Sequence, residues 1–156
     1  MGWSNSASIT INLAAEKESG LDAACALAAP LDMPASDRHL RQPFHAYVYD
    51  RNIATGLADK FKRAEPLFLS GGEVPCWTPG GGASTDRTFV PDLALARNAT
   101  TIRAIDQAIT APCFGFASVD DYYAYSSPDQ RLHLAQVPLL AVNAADDPIA
   151  RWGPAD

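Results

Sequence analysis

The sequence predicts an α/β fold built on short parallel strands, and three observations carry that expectation. A helical stripe near the start runs into a short, almost wholly apolar segment, which is half of an α/β repeat. A second apolar run, Val137 to Ala144, ends directly on the acidic pair Asp146-Asp147. Most of the chain between them has helical rather than alternating periodicity. The 156 residues are one domain's worth of chain, and 47% apolar content is enough to line a core. Such a composition argues against global disorder.

The first helix is read over Ser6 to Lys17, where Ile9, Leu13 and Ala14 recur at helical spacing, Ile11 and Ala15 widen the stripe, and Gly20 supplies the stop. Such a stripe predicts burial on more than one side. Ala23 to Ala29 then reads as a strand covered on both faces, ended by Pro30. Ile53, Leu57 and Phe61 predict a further helix, with Lys60, Lys62 and Arg63 near its C-terminal end and Gly56 inside it. The stretch 70–88 holds Gly71-Gly72, Pro75 and Pro79-Gly80-Gly81-Gly82, and is read as a flexible loop. Its triple glycine lacks the Lys-Ser/Thr of a phosphate-binding loop. Leu93, Leu95, Ile102, Ile105 and Ile109 indicate one or two helices up to Pro112, with Arg103 and Asp106 placed to pair. Ser118 to Asp121 has the shape of a capping box, so a short helix is expected from Ser118, with Tyr122, Tyr123 and Tyr125 as packing residues. Val137 to Ala144 reads as a buried parallel strand.

Charge and cysteines narrow the function classes. Twelve basic against eighteen acidic residues give a net charge of −6 with no basic cluster, which argues against nucleic acid as a partner. The longest apolar run is far short of the roughly 20 residues needed to cross a bilayer. Cys25, Cys76 and Cys113 are widely spaced and form no CxxC pair, so neither a disulfide framework nor a thiolate zinc site is expected, and a reducing compartment fits. The start has no basic region leading into an apolar run, so no signal peptide is expected. Both ends are abrupt, as in a piece cut from a larger domain.

Gly2-Trp3-Ser4-Asn5-Ser6-Ala7 leads straight into the first helix. A nucleophile elbow places a serine on a sharp strand-to-helix turn, with small residues two before and two after it. Ser4 is the candidate nucleophile, and the Asn5 N–H would face the oxyanion. The alternative is that Ser4 is an ordinary helix N-cap. Asp146 and Asp147 follow the serine, as the acid of such a triad does. They are equally readable as caps of the next turn, or as weak ligands of a divalent cation in a phosphatase-like site. His39, His45 and His133 all precede the aspartates, and each is read as a satisfied or exposed histidine.

Several segments together resemble the YheT-like and ABHD1/ABHD3-like branch of the α/β-hydrolase superfamily. They are Gly2 to Ala7 with Ile9 to Ala14, Ala28 to Asp32, Thr101 to Asp106 with Thr110, Phe114 to Phe116, Asp120 to Tyr123 with Ser126, and Val137 to Pro148. The resemblance runs nearly end to end. It implies the C-terminal part of an α/β-hydrolase fold over residues 1–156, with a mainly helical cap or connecting region at 37–125. It implies a serine esterase or lipase acting through an acyl-enzyme on a small-molecule ester or lipid, without a cofactor. Ser4 corresponds to the nucleophile and Asp147, before Pro148, to the triad acid, with Asp146 as the neighbouring alternative. The family's histidine lies one helix and strand beyond that acid, so this chain is expected to lack it and to be inactive alone. Ser6 stands where the family has glycine. Full-length relatives are cytoplasmic or membrane-associated, some through an N-terminal anchoring segment. The competing expectation is a non-catalytic helical interaction or regulatory module derived from a hydrolase.

Overall fold

The computed structural model describes residues 1–70, 74–78 and 82–150. They form a mixed α/β architecture with a parallel sheet and flanking and connecting helices. The chain divides into two compact units: Met1–Gln42 with Tyr123–Asp156, and Pro43–Tyr122.

Unit 1 is built on a parallel sheet of order β1-β2-β5, from Gly2–Trp3, Ala24–Leu27 and Leu139–Val142. Gly2 pairs with Ala26, while Ala24 to Leu27 pair one for one with Leu139 to Val142. Between β1 and β2 runs α1, Asn5–Ala14. Its buried residues are Ala7, Ser8, Ile11 and Ala14, whereas Ile9 and Leu13 are exposed. The expected stripe is therefore rotated: the small Ala7, Ser8 and Ala14 flank Ile11 on the buried face and let the helix approach closely, while Ile9 and Leu13 lie outside. The helix also ends earlier than expected. Ala15 is its C-cap, five residues before Gly20, which has a positive φ of 68° in the following turn.

Ala7 and Ile11 pack on Ala26, Ala29 and Leu31, with Leu132 and Leu139 against them. Ser8 Oγ donates to Pro30 O at 3.0 Å, tying α1 to the exit of β2. A helix the sequence reading did not delimit, α2 (Met33–Leu40), begins there; the Asp32 side chain caps it by accepting from Ala35 N at 2.8 Å. The 3₁₀ segment Pro128–Leu134 closes this unit, with Asp129 N donating to Leu31 O and Ser127 Oγ accepting from Met33 N. The strand β5 corrects a second expectation. It is read from sequence as buried, yet Leu140 is 59% and Val142 50% exposed.

Unit 2 is mainly helical. The short helix α3 (Pro43–His45) and a π-helical turn (Ala46–Asp50) lead into α4, Arg51–Ser70. Lys60, Lys62 and Arg63 are therefore exposed mid-helix residues, and the buried stripe is Ala54, Ala58, Phe61 and Glu65. Over 70–88, expected as a loop, Val74–Thr78 (β3) and Gly82–Phe89 (β4) pair antiparallel. Residues 71–73 and 79–81, with most of the triple glycine, lie outside the described residues. The helices α5 (Leu93–Arg97) and α6 (Ile102–Ile105) are capped by Asp92 and Thr101, whose side chains accept from Leu95 N and Ala104 N. A π-helical turn (Asp106–Thr110) then leads into α7, Ala111–Cys113. Phe61, Ala96 and Ala108 form one cluster, and Ala58, Ala99 and Ile105 another. Arg97 donates through two nitrogens to Glu65, which neutralises the charge of a buried carboxylate. Arg103, read as pairing with Asp106, donates to both Asp120 oxygens at 2.8 and 2.7 Å.

The final helix, α8 (Val119–Ser126), spans the division between the units and starts as the capping-box pattern predicts. Asp121 N donates to Ser118 Oγ at 3.1 Å, and Ser118 Oγ donates to Asp121 Oδ2 at 2.6 Å. Tyr123 is buried, and Tyr122 stacks parallel to Phe114.

Burial, reinforced by the Asp106 carboxylate, pushes the Tyr122 hydroxyl up to about 12. A raised pKa means that the unfolded chain loses this proton first, so the contribution is complete below pH ~10 and is lost as pH rises toward 12. Denaturant unfolding of wild type should therefore lose up to about 2–3 kcal/mol more than Tyr122→Phe between those pH values. Parallel pH profiles for the two proteins would contradict this account.

Candidate active site

The turn between β1 and α1 has a single residue in which to reverse direction. Ser4 N donates to Leu27 O at 3.0 Å, which prolongs the β1–β2 ladder, and α1 begins at the next residue. To make that turn Ser4 adopts φ 52° and ψ −128°. This is sparsely populated backbone for a residue with a Cβ and costs on the order of 1–3 kcal/mol. Ser4 O takes the N–H of Ala7 at 2.9 Å and of Ser8 at 3.3 Å. The Ser4 side chain makes no capping hydrogen bond and is exposed. The hydroxyl is thus not used as an N-cap, the alternative that the sequence left open.

Gly2 shows why the small residue before the serine matters. A Cβ there would lie 2.3 Å from Ser6 O and 2.4 Å from Thr10 Oγ1, inside the helix's own first turns. The turn closes with Ser6 in place, because Ser6 is exposed and presents its backbone, not its side chain, to Gly2. Asn5 is the first residue of a ten-residue helix, so its N–H lies at the positive end of the helix dipole beside Ser4.

On the other side of β2, β5 delivers the aspartates. Ala28 N donates to Val142 O at 2.8 Å, and the chain then enters the turn 143–150. Asp147 N donates to Ala144 O at 3.3 Å, while Asp147 Oδ1 accepts from Ile149 N and Ala150 N, both at 2.8 Å. Asp146 is exposed. Asp147 therefore caps its own turn with one carboxylate oxygen, and Oδ2 has no hydrogen bond among the described residues.

Ser4 and the aspartate turn leave the same C-terminal edge of one parallel sheet, with β2 between them. Trp3, Leu27 and Val142 are in register, so the two exits lie two strand spacings apart, about 10 Å. That edge is where α/β sheets gather functional loops. His39 lies in α2 and His133 in the 3₁₀ segment, and among the described residues neither Ser4 nor Asp147 is hydrogen-bonded to a histidine. Among the described residues no group of three or more His, Cys, Asp or Glu is placed to hold a metal ion.

Two residues at this edge went unrecognised in the sequence. Ala28 has φ 51°, a left-handed conformation rare for alanine, and composition gives no signal for it. Asn143 hydrogen-bonds Ala29 and Ala150; an Asn directly after an apolar run was the available cue. Unit 2 has its own cavity of about 260 Å³, lined by Arg103, Gln107, Phe116, Ser118 and Asp120 among others. No described helix is long and apolar enough to cross a membrane.

Comparison with known proteins adds an independent line. Embryogenesis-associated protein EMB8 of Picea glauca is 31% identical over 157 residues, covering 96% of this chain and 30% of the spruce protein. Phospholipase ABHD3 of Mus musculus is 41% identical over 56 residues, 36% of this chain and 14% of the mouse protein. Monoacylglycerol lipase ABHD2 of Homo sapiens is 40% identical over 58 residues, 37% of this chain and 14% of the human one. The chain thus spans less than a third of the length of the spruce relative that it matches end to end. No protein-family profile matches the chain. No solved structure matches it either. The similarity is to the α/β-hydrolase superfamily, broadly to ABHD-like proteins.

The geometry of the turn makes two mutational expectations. Gly2→Ala should destabilise unit 1 by at least the roughly 1–3 kcal/mol of an overpacked site, because the obstructing atom is backbone. Ser4→Gly should be more stable than Ser4→Ala by about 1–2 kcal/mol, since glycine tolerates the backbone that alanine would inherit. Equal unfolding midpoints for the two Ser4 variants would mean that the turn is unstrained.

Proposed function

We propose that this chain, of the α/β-hydrolase superfamily and broadly ABHD-like, carries the nucleophile and the acid of a serine carboxylic-ester hydrolase. The observation that carries the reading is Ser4 itself. A strained strand-to-helix turn exposes a hydroxyl that the helix does not use, and strain of this kind persists where it positions a reacting group. The names of the relatives, a phospholipase and a monoacylglycerol lipase, support an ester of a lipid or another small molecule as substrate.

In this reading a histidine base takes the proton of Ser4 Oγ while Oγ attacks the ester carbonyl carbon. The Asn5 N–H donates to the oxyanion that forms, aided by the dipole of α1. The imidazolium gives its proton to the departing alkoxide, and water then releases the acid from the acyl-enzyme by the reverse sequence. Asp147 Oδ2 accepts the imidazole N–H and holds the ring, with Asp146 as the alternative acid. Two hydrogen bonds of about 3 Å and the ring between them suit a serine and an aspartate on strands about 10 Å apart. In this reading the base follows the acid along the chain, whereas His39, His45 and His133 all precede Asp147. Residues 37–125 serve as cap or connecting region, and their phenylalanines and tyrosines suit the apolar part of a substrate.

The second reading is a non-catalytic helical interaction or regulatory module derived from a hydrolase, in keeping with the mainly helical unit 2. Short-chain p-nitrophenyl esters separate the two. The longest translation product containing these residues should lose about 10³-fold or more of its hydrolysis on Ser4→Ala. The 156-residue chain by itself should show no rate above its Ser4→Ala control. Hydrolysis of the longer product that is indifferent to Ser4 would favour the module.

A further inference from the structure

We propose that Asn143 is a positioning residue: its amide clamps the turn bearing Asp147 to the end of β2 and so fixes that carboxylate relative to Ser4. The assignment of roles to Ser4 and Asp147 rests on the reading above; the clamp itself rests on geometry alone.

Asn143 follows the last residue of β5, where backbone pairing between β2 and β5 stops. Its side chain continues that pairing. Asn143 Oδ1 accepts from Ala29 N at 3.2 Å, and Nδ2 donates to Ala29 O at 2.7 Å, so one amide mimics a residue of a strand. The same Nδ2 donates to Ala150 O at 3.3 Å. Ala150 N in turn donates to Asp147 Oδ1 at 2.8 Å. An unbroken path therefore runs from β2 through Asn143 and Ala150 to the carboxylate. At the same C-terminal end, β2 holds Ser4 through Leu27 O. Ala150 is buried although it lies eight residues beyond β5, which is the placement a clamp produces.

The role needs an acceptor and a donor on one side chain, as an amide supplies. Alanine removes all three bonds. Aspartate keeps the acceptor for Ala29 N but turns an oxygen toward the carbonyls of Ala29 and Ala150, where a donor is needed. The two variants thus separate the donor half of the amide from its acceptor half.

Amide hydrogen exchange on the full chain tests the clamp. Asn143→Ala should speed exchange at Ile149 and Ala150 by about tenfold or more, while Ser4 and Ala24, which are bonded within the sheet, change little. Asn143→Asp should free Ile149 and Ala150 equally, yet leave Ala29 protected. Unchanged exchange at Ile149 and Ala150, or acceleration spread evenly over the sheet, would overturn the proposal, the second because it marks a merely structural role. In a product with Ser4-dependent hydrolysis, Asn143→Ala should lower kcat about 10- to 100-fold with little change in KM, and move the acidic limb of the pH profile downward as the imidazolium loses its fixed partner. A kcat and profile like wild type would overturn the positioning role. Hydrolysis indifferent to Ser4 would instead remove the catalytic reading, and the exchange pattern would still judge the clamp.

Discussion

Strand β2 has a parallel neighbour on each side: Gly2 and Trp3 pair with Ala26 and Leu27 across one edge, and Leu139 to Val142 pair with Ala24 to Leu27 across the other. Both candidate residues take their positions from it. The Leu27 carbonyl sets the height at which Ser4 leaves the sheet, and the Ala28 N–H does the same for Val142. Because side chains alternate along a strand, sliding β2 by one residue would exchange its buried and half-buried faces and change the register that both exits take from it. What prevents the slip is the small, buried face of Ala24 and Ala26, with Ala7 and Ile11 of α1 closing on Ala26. A bulkier residue at Ala26 would lift the helix and, with it, the N-terminus that begins at Asn5.

Two residues with a Cβ and positive φ, Ser4 and Ala28, stand at the ends of adjacent strands. Their situations differ. Ser4 accepts strain in order to present a hydroxyl, and Gly2 makes the accompanying crowding possible by leaving room for Ser6 O and Thr10. At Ala28 nothing in the structure explains alanine in place of glycine. What holds both conformations is the same set of contacts: the β2 ladder, the Ser8 bond to Pro30 and the buried face of α1. Strain on the order of 1–3 kcal/mol per residue is tolerated only where several such contacts over-determine the backbone.

The elements legible in the sequence are those whose local chemistry decides their conformation. The strand around Ala24–Leu27, the helix after Ser4 and the capped start of α8 at Ser118 were all readable, because periodicity and capping are short-range signals. Burial was less legible, since it depends on what lies opposite. Val137 to Ala144 has the composition of a covered strand, yet Leu140 and Val142 are half exposed or more. In α1 and α4 the helical period was right and the stripe only partly so: Ile11, Ala14 and Phe61 are buried as read, but so are Ala7, Ala54 and Ala58, while Ile9 and Leu13 are exposed. Close helix packing rewards small residues at the contact, and an aliphatic stripe does not reveal that. The pairing of β3 with β4 was hidden by glycine and proline, which mark turns more strongly than the intervening residues mark strands. At the site, Ser4 and the aspartates were legible as residue types in order along the chain; the φ of Ser4, the contact at Gly2 and the amide of Asn143 belong to three-dimensional closure.

The adjacent aspartates differ in how the turn holds them. A group that orients an imidazole must itself be held, or it transmits its own disorder to the ring. Asp146 is exposed. Asp147 has one oxygen fixed by two backbone N–H groups, and those N–H groups belong to a turn that Asn143 ties to β2. Fixing one oxygen leaves the other to accept a hydrogen bond in a defined direction, which is the requirement for the acid of a triad. The same bonds fit the plain turn-capping role equally well, and the two roles are compatible: capping the turn uses Oδ1 and leaves Oδ2 without a hydrogen bond among the described residues.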